Sequence, residues 1–153
     1  MSAFAHIALI GFGEVGQALA TELAKAGVVD VRAWDIAFER EDSGPRRALA
    51  LHKVHAASSG TDAVKGADLV ISAVTAAQDL DAATSVAAAI ERGAFYLDLN
   101  SCSPGQKLAS AAVIEASGGA YVDVSKVMRD LWGSDNTNIL ARVEISTLSK
   151  SLH

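Results

Sequence analysis

Cysteine is almost absent from this chain. Cys102 is the only one in 153 residues, so neither an internal disulfide framework nor a cysteine-rich zinc module can form. Excess basic charge is missing too. Lysine and arginine total 13 against 18 aspartates and glutamates, a net charge of -5, which argues against a nucleic-acid partner, since such binders carry a basic face. No apolar run approaches the length of a membrane span. The longest candidate, Leu69 to Ala77, is short and contains Ser72 and Thr75. No basic residue precedes Lys25, so the charged start of a signal peptide is lacking. The expectation is a cytoplasmic, reducing setting with no membrane partner. Two catalytic signatures are also missing: a G-x-S-x-G elbow and the Lys-Ser/Thr ending of a phosphate-binding P-loop. His52 and His55 have the spacing of a metal pair on a helix, but no suitably spaced third ligand accompanies them. They are read as surface or linker residues, and no metal is expected.

What the chain does have is apolar and rich in alanine. Half of its residues are hydrophobic and a fifth are charged, the balance of a globular domain with its own core. The length suits one domain. Of 30 alanines, 29 lie at or before residue 120. Residues 1–124 carry 15 acidic and 9 basic groups, a net -6, and residues 125–153 carry 3 and 4, a net +1. The expected organisation is therefore a domain over 1–124 and a tail of different character over 125–153.

Along the first part, strand and helix patterns alternate. His6 to Ile10 is a short run that is apolar on both faces and reads as a buried strand. A glycine turn follows. Then Val15, Leu19 and Leu23 recur at helical spacing until Gly27. Val28 to Trp34 is a second strand, ending at Asp35. Ile36 to Gly44 reads as a loop, Arg46 to Lys53 as a short helix and Val54 to Ala57 as a short strand. Thr61 is placed as the cap of a brief helix ending at Gly66. Asp68 to Val74 is a strand, Ala76 to Arg92 an alanine-rich helix and Ala94 to Leu99 a strand. Ser103 caps a helix opened by Pro104, and Ala120 to Val124 is the last strand. This alternation predicts an α/β fold: one Rossmann-type, doubly wound parallel sheet of six strands in the order 3-2-1-4-5-6.

Gly11-Phe12-Gly13-Glu14-Val15-Gly16 fits G-x-G-x-x-G, directly after a strand and opening a helix. Gly11 allows the tight turn, Gly13 the approach of a pyrophosphate, and Gly16 close packing of helix on strand. The helix N-terminus offers free N–H groups to phosphates. Glu14 is expected to turn away from them. Asp35, at the tip of the second strand, can accept hydrogen bonds from a ribose 2′-hydroxyl. The same carboxylate would repel a 2′-phosphate, so NAD is favoured over NADP. Arg32, Arg40, Arg46 and Arg47 lie nearby in sequence and leave NADP open. Ligands sit beyond the C-terminal ends of strands in such sheets, so Val74, Thr75, Asn100, Ser101 and Ser103 line the same crevice. Cys102 has no evident base to activate it and reads as a small filler. His6, in the first strand, reads as a packed core or edge histidine.

Three segments together resemble the NAD-binding domain of the β-hydroxyacid dehydrogenases, the group of the 3-hydroxyisobutyrate and 6-phosphogluconate dehydrogenases. They are G-F-G-E-V-G, A-D-L-V-I-S-A-V-T and Y-L-D-L-N-S-C-S-P, and the resemblance covers roughly residues 4 to 124. It implies hydride transfer between a small hydroxyacid and nicotinamide. It also implies that Val74 and Thr75 contact the nicotinamide-side ribose, and that Asn100 and Ser101 lie by the nicotinamide and the substrate. The resemblance breaks after Val124. The family's serine-glycine-glycine segment is replaced by Ser125-Lys126-Val127, and its helical second domain, with the catalytic lysine, has no counterpart. Lys107, Lys126 and Lys150 do not sit in that motif, so no catalytic residue is assigned. The expectation is a truncated chain with weak or no turnover alone, self-associating as a homo-oligomer. Alternatives are a non-catalytic dinucleotide-binding module or redox-sensing subunit, and a reductase of another Rossmann family whose site is closed by a second subunit. For the tail, the alternative is a short helix with Val127, Leu131 and Trp132 as its apolar stripe.

Overall fold

The computed structural model describes residues 4–124. The expectations for the tail, including its apolar stripe, lie outside the described residues. Six strands follow one another: β1 (His6–Ile10), β2 (Asp30–Trp34), β3 (His55–Ala56), β4 (Leu69–Ser72), β5 (Phe95–Asp98) and β6 (Ala120–Asp123). All pair in parallel, in the order β3-β2-β1-β4-β5-β6. The helices are α1 (Glu14–Lys25), α2 (Gly44–Ala48), α3 (Gly60–Val64), α4 (Asp79–Ala87) and α5 (Pro104–Ala116). The Rossmann-type α/β architecture and the strand order are as the sequence predicted. The winding reverses between β1 and β4, so a crevice opens over their C-terminal ends.

Alternate residues of each central strand feed opposite cores. Ile7 and Leu9 of β1 join Leu19 and Leu23 of α1 on one face. Ala8 and Ile10 join Ala83 and Val86 of α4 on the other. This two-sided burial is why β1 and β4 read as unbroken apolar runs. The alanines on α4 (Ala82, Ala83 and Ala87) are buried and let that helix lie close to the sheet.

Several local expectations are corrected. The cap of α3 is Ser59, whose Oγ accepts from the Asp62 N–H at 3.0 Å. Thr61 lies inside the helix and donates to the Ser85 carbonyl instead. The long helix expected over 76–92 is a 3-10 turn (Ala76–Gln78) followed by α4, which ends at Ala87 because Ile90 turns into the core. The expected loop after Asp35 contains a 3-10 turn, Ile36–Glu39, that packs Phe38 into the core. The next helix starts earlier than expected, at Gly44, under a Ser43 cap, and gives way to a 3-10 turn at Leu49–Leu51. Val15, at helical spacing with Leu19 and Leu23, is 53% exposed and borders the groove instead of the core. His52 follows the second 3-10 turn and His55 lies in β3, so they form no helical pair. His52 packs edge-on against Phe12 rather than lying free on the surface. His6 is half exposed and hydrogen-bonds Asp30.

The two capping assignments make opposite predictions. Ser59→Ala is expected to cost about 1 kcal/mol of stability, and Thr61→Ala clearly less. Urea denaturation midpoints of the two variants decide between them.

Candidate functional site

The turn after β1 is held by contact with its neighbours. The Gly11 N–H donates to the Trp34 carbonyl at 2.8 Å, and the Ala73 N–H donates to the Ile10 carbonyl at 2.8 Å. Gly11 adopts φ +97°, and a Cβ there would lie 2.2 Å from the Ala73 carbonyl oxygen. A Cβ on Gly16 would lie 2.3 Å from the Gly11 carbonyl oxygen, so α1 can sit on the turn only without a side chain there. Gly13 differs, because a Cβ there would meet nothing within 4 Å. The space beside its backbone is open. Gly13 is also the N-cap of α1 and no side chain caps it, so the first N–H groups of the helix are available to an anion.

Asp35 braces this turn. Its Oδ2 accepts from the Phe12 N–H at 2.7 Å, and its Oδ1 accepts from the Ala37 N–H at 2.8 Å. Both oxygens are thus oriented, and each keeps acceptor capacity for a ligand hydroxyl. A groove of about 500 Å³ runs over this region, within the usual size of a small-molecule site. Trp34, Asp35 and Ile36 line one end, the glycine turn the middle, and Val74 and Thr75 the β4 side. Gln78, Asp81, Ala82 and Ser85 close it from α4 and the turn before it.

The residues singled out from sequence divide into three groups. Gly11, Gly13, Glu14, Val15, Asp35, Val74 and Thr75 all border the groove. Glu14 does so although a carboxylate there is unfavourable to a pyrophosphate. Phe12 and Gly16 are buried beneath it: the Phe12 ring points into the core against Phe38 and His52, leaving only its backbone to serve the turn. Asn100 is also buried, and its side chain is fully engaged. Its Oδ1 accepts from the Val74 N–H at 2.7 Å, and its Nδ2 donates to Ser72 Oγ and Asp79 Oδ1 at 3.0 and 2.7 Å. Ser101 and Ser103 are exposed and outside the groove lining. Ser103 caps α5 as expected.

Asn100 belongs to a buried polar cluster that the sequence reading missed. Lys107, set aside there for lack of a family motif, is 7% exposed and donates to Asp98 Oδ1 at 2.7 Å, with Asp123 Oδ1 at 3.3 Å. The Tyr121 hydroxyl donates to Asp98 Oδ2 at 2.6 Å, and Ser110 donates to Asp79 at 2.8 Å. Burial, then the Asp79 carboxylate beside it, pushes Asp98 up to about 6. Burial opposes ionisation of Asp79 as well, but hydrogen bonds from Asp98, Asn100 and Ser110 outweigh it and hold that carboxyl below its ordinary value. Burial, then the charge of Asp79, pushes the Cys102 thiol up to about 11. The shift disfavours the thiolate, the reactive form. A signal for the cluster was present: Lys107 and Ser110 share a helix face with the buried Ile114.

Over residues 6–125 the chain matches the family described as the NAD binding domain of 6-phosphogluconate dehydrogenase. The chain belongs to this family. Among solved structures it is similar to 3-hydroxyisobutyrate dehydrogenase from Mycobacterium tuberculosis, determined with L-serine (28% identity, TM-score 0.69, 79% of this chain and 39% of that one). It is also similar to MTH1747, a conserved protein of unknown function with structural similarity to 3-hydroxyacid dehydrogenases (33% identity, TM-score 0.64, 77% and 42%). An imine reductase from Myxococcus stipitatus, in complex with NADP+, shares the fold (24% identity, TM-score 0.62, 76% and 39%). The chain thus spans about two fifths of the length of these relatives. No curated protein matches it significantly. As a member of this family it is an NAD(P)-binding domain. No helix among the described residues is long and apolar enough to cross a membrane.

Two predictions concern how this NAD(P)-binding domain is held together. Gly11→Ala combines a left-handed backbone with a carbonyl collision and is expected to destabilise by about 3 kcal/mol, read as a lowered denaturation midpoint. The second concerns Asp98, whose folded pKa of about 6 stands above its unfolded value of 3.8. Its contribution is complete below the unfolded value and lost as pH rises through about 6. The stability of the wild type relative to Asp98→Asn is therefore expected to fall between about pH 4 and 6 and to level off above 7, measured by urea titrations across that range.

Proposed function

We propose that this domain binds NAD(H) in the groove over β1 and β4 and serves as the cofactor-holding part of a hydroxyacid dehydrogenase-like oxidoreductase. The observation that carries this reading is the cradle itself. Gly11 and Gly16 are closed against their neighbours, while Gly13, at the uncapped start of α1, faces open space. A pyrophosphate fits there, held by backbone N–H groups and the helix dipole. Asp35 would take the adenosine ribose hydroxyls, and Val74 and Thr75 would meet the second ribose. The bound nicotinamide would supply the hydride chemistry, and the chain's own residues bind and orient it.

The preference for NAD over NADP follows from charge. Glu14, Asp35 and Asp81 border the groove, and no lysine or arginine is among its lining residues. Among the described residues that line the groove, a 2′-phosphate would meet carboxylates and no cation. The substrate in this reading is a small hydroxyacid, approaching past the turn that carries Asn100, Ser101 and Ser103. Oxidation of an alcohol also needs a group to take its proton as the hydride leaves. Lys107 is committed to two carboxylates, so the described residues bind the cofactor but turn over weakly by themselves. That commitment equally favours a second reading, a dinucleotide-binding module without catalysis.

Titration of the 153-residue chain with NADH and NADPH, followed by nicotinamide fluorescence, tests the reading. Gly13→Val is expected to lower NADH affinity at least about tenfold while costing only about 1 kcal/mol of stability through the poorer N-cap residue, because a Cβ there meets nothing within 4 Å. NADH is expected to bind more tightly than NADPH, and Asp35→Asn, which removes charge but keeps an acceptor, is expected to narrow the difference. Absence of binding to both cofactors would reduce the glycine turn to a structural element.

A further inference from the structure

Lys107 lies on the buried face of α5, under the C-terminal ends of three strands. The register sets Ser72, Asp98 and Asp123 side by side there, and all three lie on the sheet face that α5 covers. An ammonium in such a place is costly unless paired. A methionine of similar length would pack α5 against the sheet without that cost. The charge is instead spent on a definite set of contacts. Lys107 Nζ reaches Asp98 Oδ1 at 2.7 Å and Asp123 Oδ1 at 3.3 Å. The same Asp98 Oδ1 accepts from the Asn100 N–H at 2.8 Å. Asn100, held also by Ser72 and Asp79, accepts from the Val74 N–H at 2.7 Å. Val74 is a wall of the groove. An unbroken path of hydrogen bonds therefore runs from the first turn of α5 to the β4 side of the site.

The other end of the groove is held separately. Asp35 is tied to Phe12 and Ala37, and none of those bonds joins the Lys107 path. The two halves of a dinucleotide straddle the switch point, one over β2 and the other over β4. The two networks thus serve different halves of the ligand.

We propose that Lys107 is a positioning residue for the nicotinamide half of the cofactor, acting through Asp98 and Asn100 on the backbone of Val74. This rests on the NAD(P) reading above and deepens it. Asp98 and Asn100 carry the constraint, and Asp123 steadies the ammonium from β6. Lys107 touches no ligand. Its loss lets the Val74 wall drift while the adenosine end keeps its shape.

The test compares two ligands on the full chain at pH 8: NADH, which fills both halves, and 5′-AMP, which fills only the adenosine half. In Lys107→Met the NADH dissociation constant is expected to rise about tenfold while that for 5′-AMP stays within about twofold. Lys107→Arg, which keeps the charge, is expected to recover much of the loss. If the single variant does not fold, the double variant Lys107→Met with Asp98→Asn removes both members of the closest ion pair together, and is expected to show the same selective loss. Equal weakening of both ligands in a folded variant would mean a general structural role and overturn the proposal, as would no change in either. Failure of the wild type to bind NADH and 5′-AMP would instead overturn the cofactor reading. Should the wild type prefer NADPH, that cofactor and 2′,5′-ADP replace the pair.

Discussion

The contact between Gly11 and the Ala73 carbonyl fixes the geometry of the whole site. The chain leaves β1 and β4 at the same edge of the sheet, and the two exits approach too closely for any side chain between them. Gly16 repeats the constraint one helical turn later, against the carbonyl of Gly11 itself. The start of α1 is thereby seated directly over the turn, with its unpaired N–H groups at the edge of the groove. Asp35 completes the arrangement from β2 by accepting the Phe12 N–H, so the acid at the tip of β2 also shapes the glycine turn.

Beneath the β4 side, stability comes from a different source. The strands there end not in apolar residues but in Ser72, Asp98 and Asp123, set in register. Burying such a row is unfavourable unless every group finds a partner. The partners come from α4 and α5: Asp79, Lys107 and Ser110, with Asn100 at the centre. A polar cluster of this kind resists the small rearrangements that an apolar contact tolerates, because losing one partner leaves another buried group unsatisfied. The groove is therefore walled by two devices with separate sets of hydrogen bonds, a close-packed glycine turn and a hydrogen-bonded knot. Close to the knot, burial and the nearby charge of Asp79 disfavour the Cys102 thiolate.

Much of this was legible in the residues. The parallel sheet follows from the alternating strand and helix patterns, and the strand order from the Rossmann pattern that the glycine turn and its acid signal. The glycine turn and Asp35 are readable because each glycine answers a local demand. What escaped was decided by contacts distant in sequence. Thr61 and Ser59 are both good caps in isolation, and the path of the chain into α3 selects Ser59. Val15 fits the helical stripe by spacing, yet it borders the groove. Lys107 looks like any surface lysine until β5 and β6 bring two carboxylates beneath it. Asn100 looks like a ligand-facing residue until its oxygen and nitrogen are both found engaged below the groove wall.

By itself the sequence determined the class of the fold, the position of the glycine turn and the acid at the tip of β2. These depend on local rules: periodicity, the backbone freedom of glycine, and the reach of one strand-turn-helix unit. The tertiary structure alone decided which polar residues face the groove and which hold it up. That choice depends on the register of β4, β5 and β6 and on the face α5 turns toward them, because a buried charge is tolerable only where another part of the chain brings its partner within hydrogen-bonding distance.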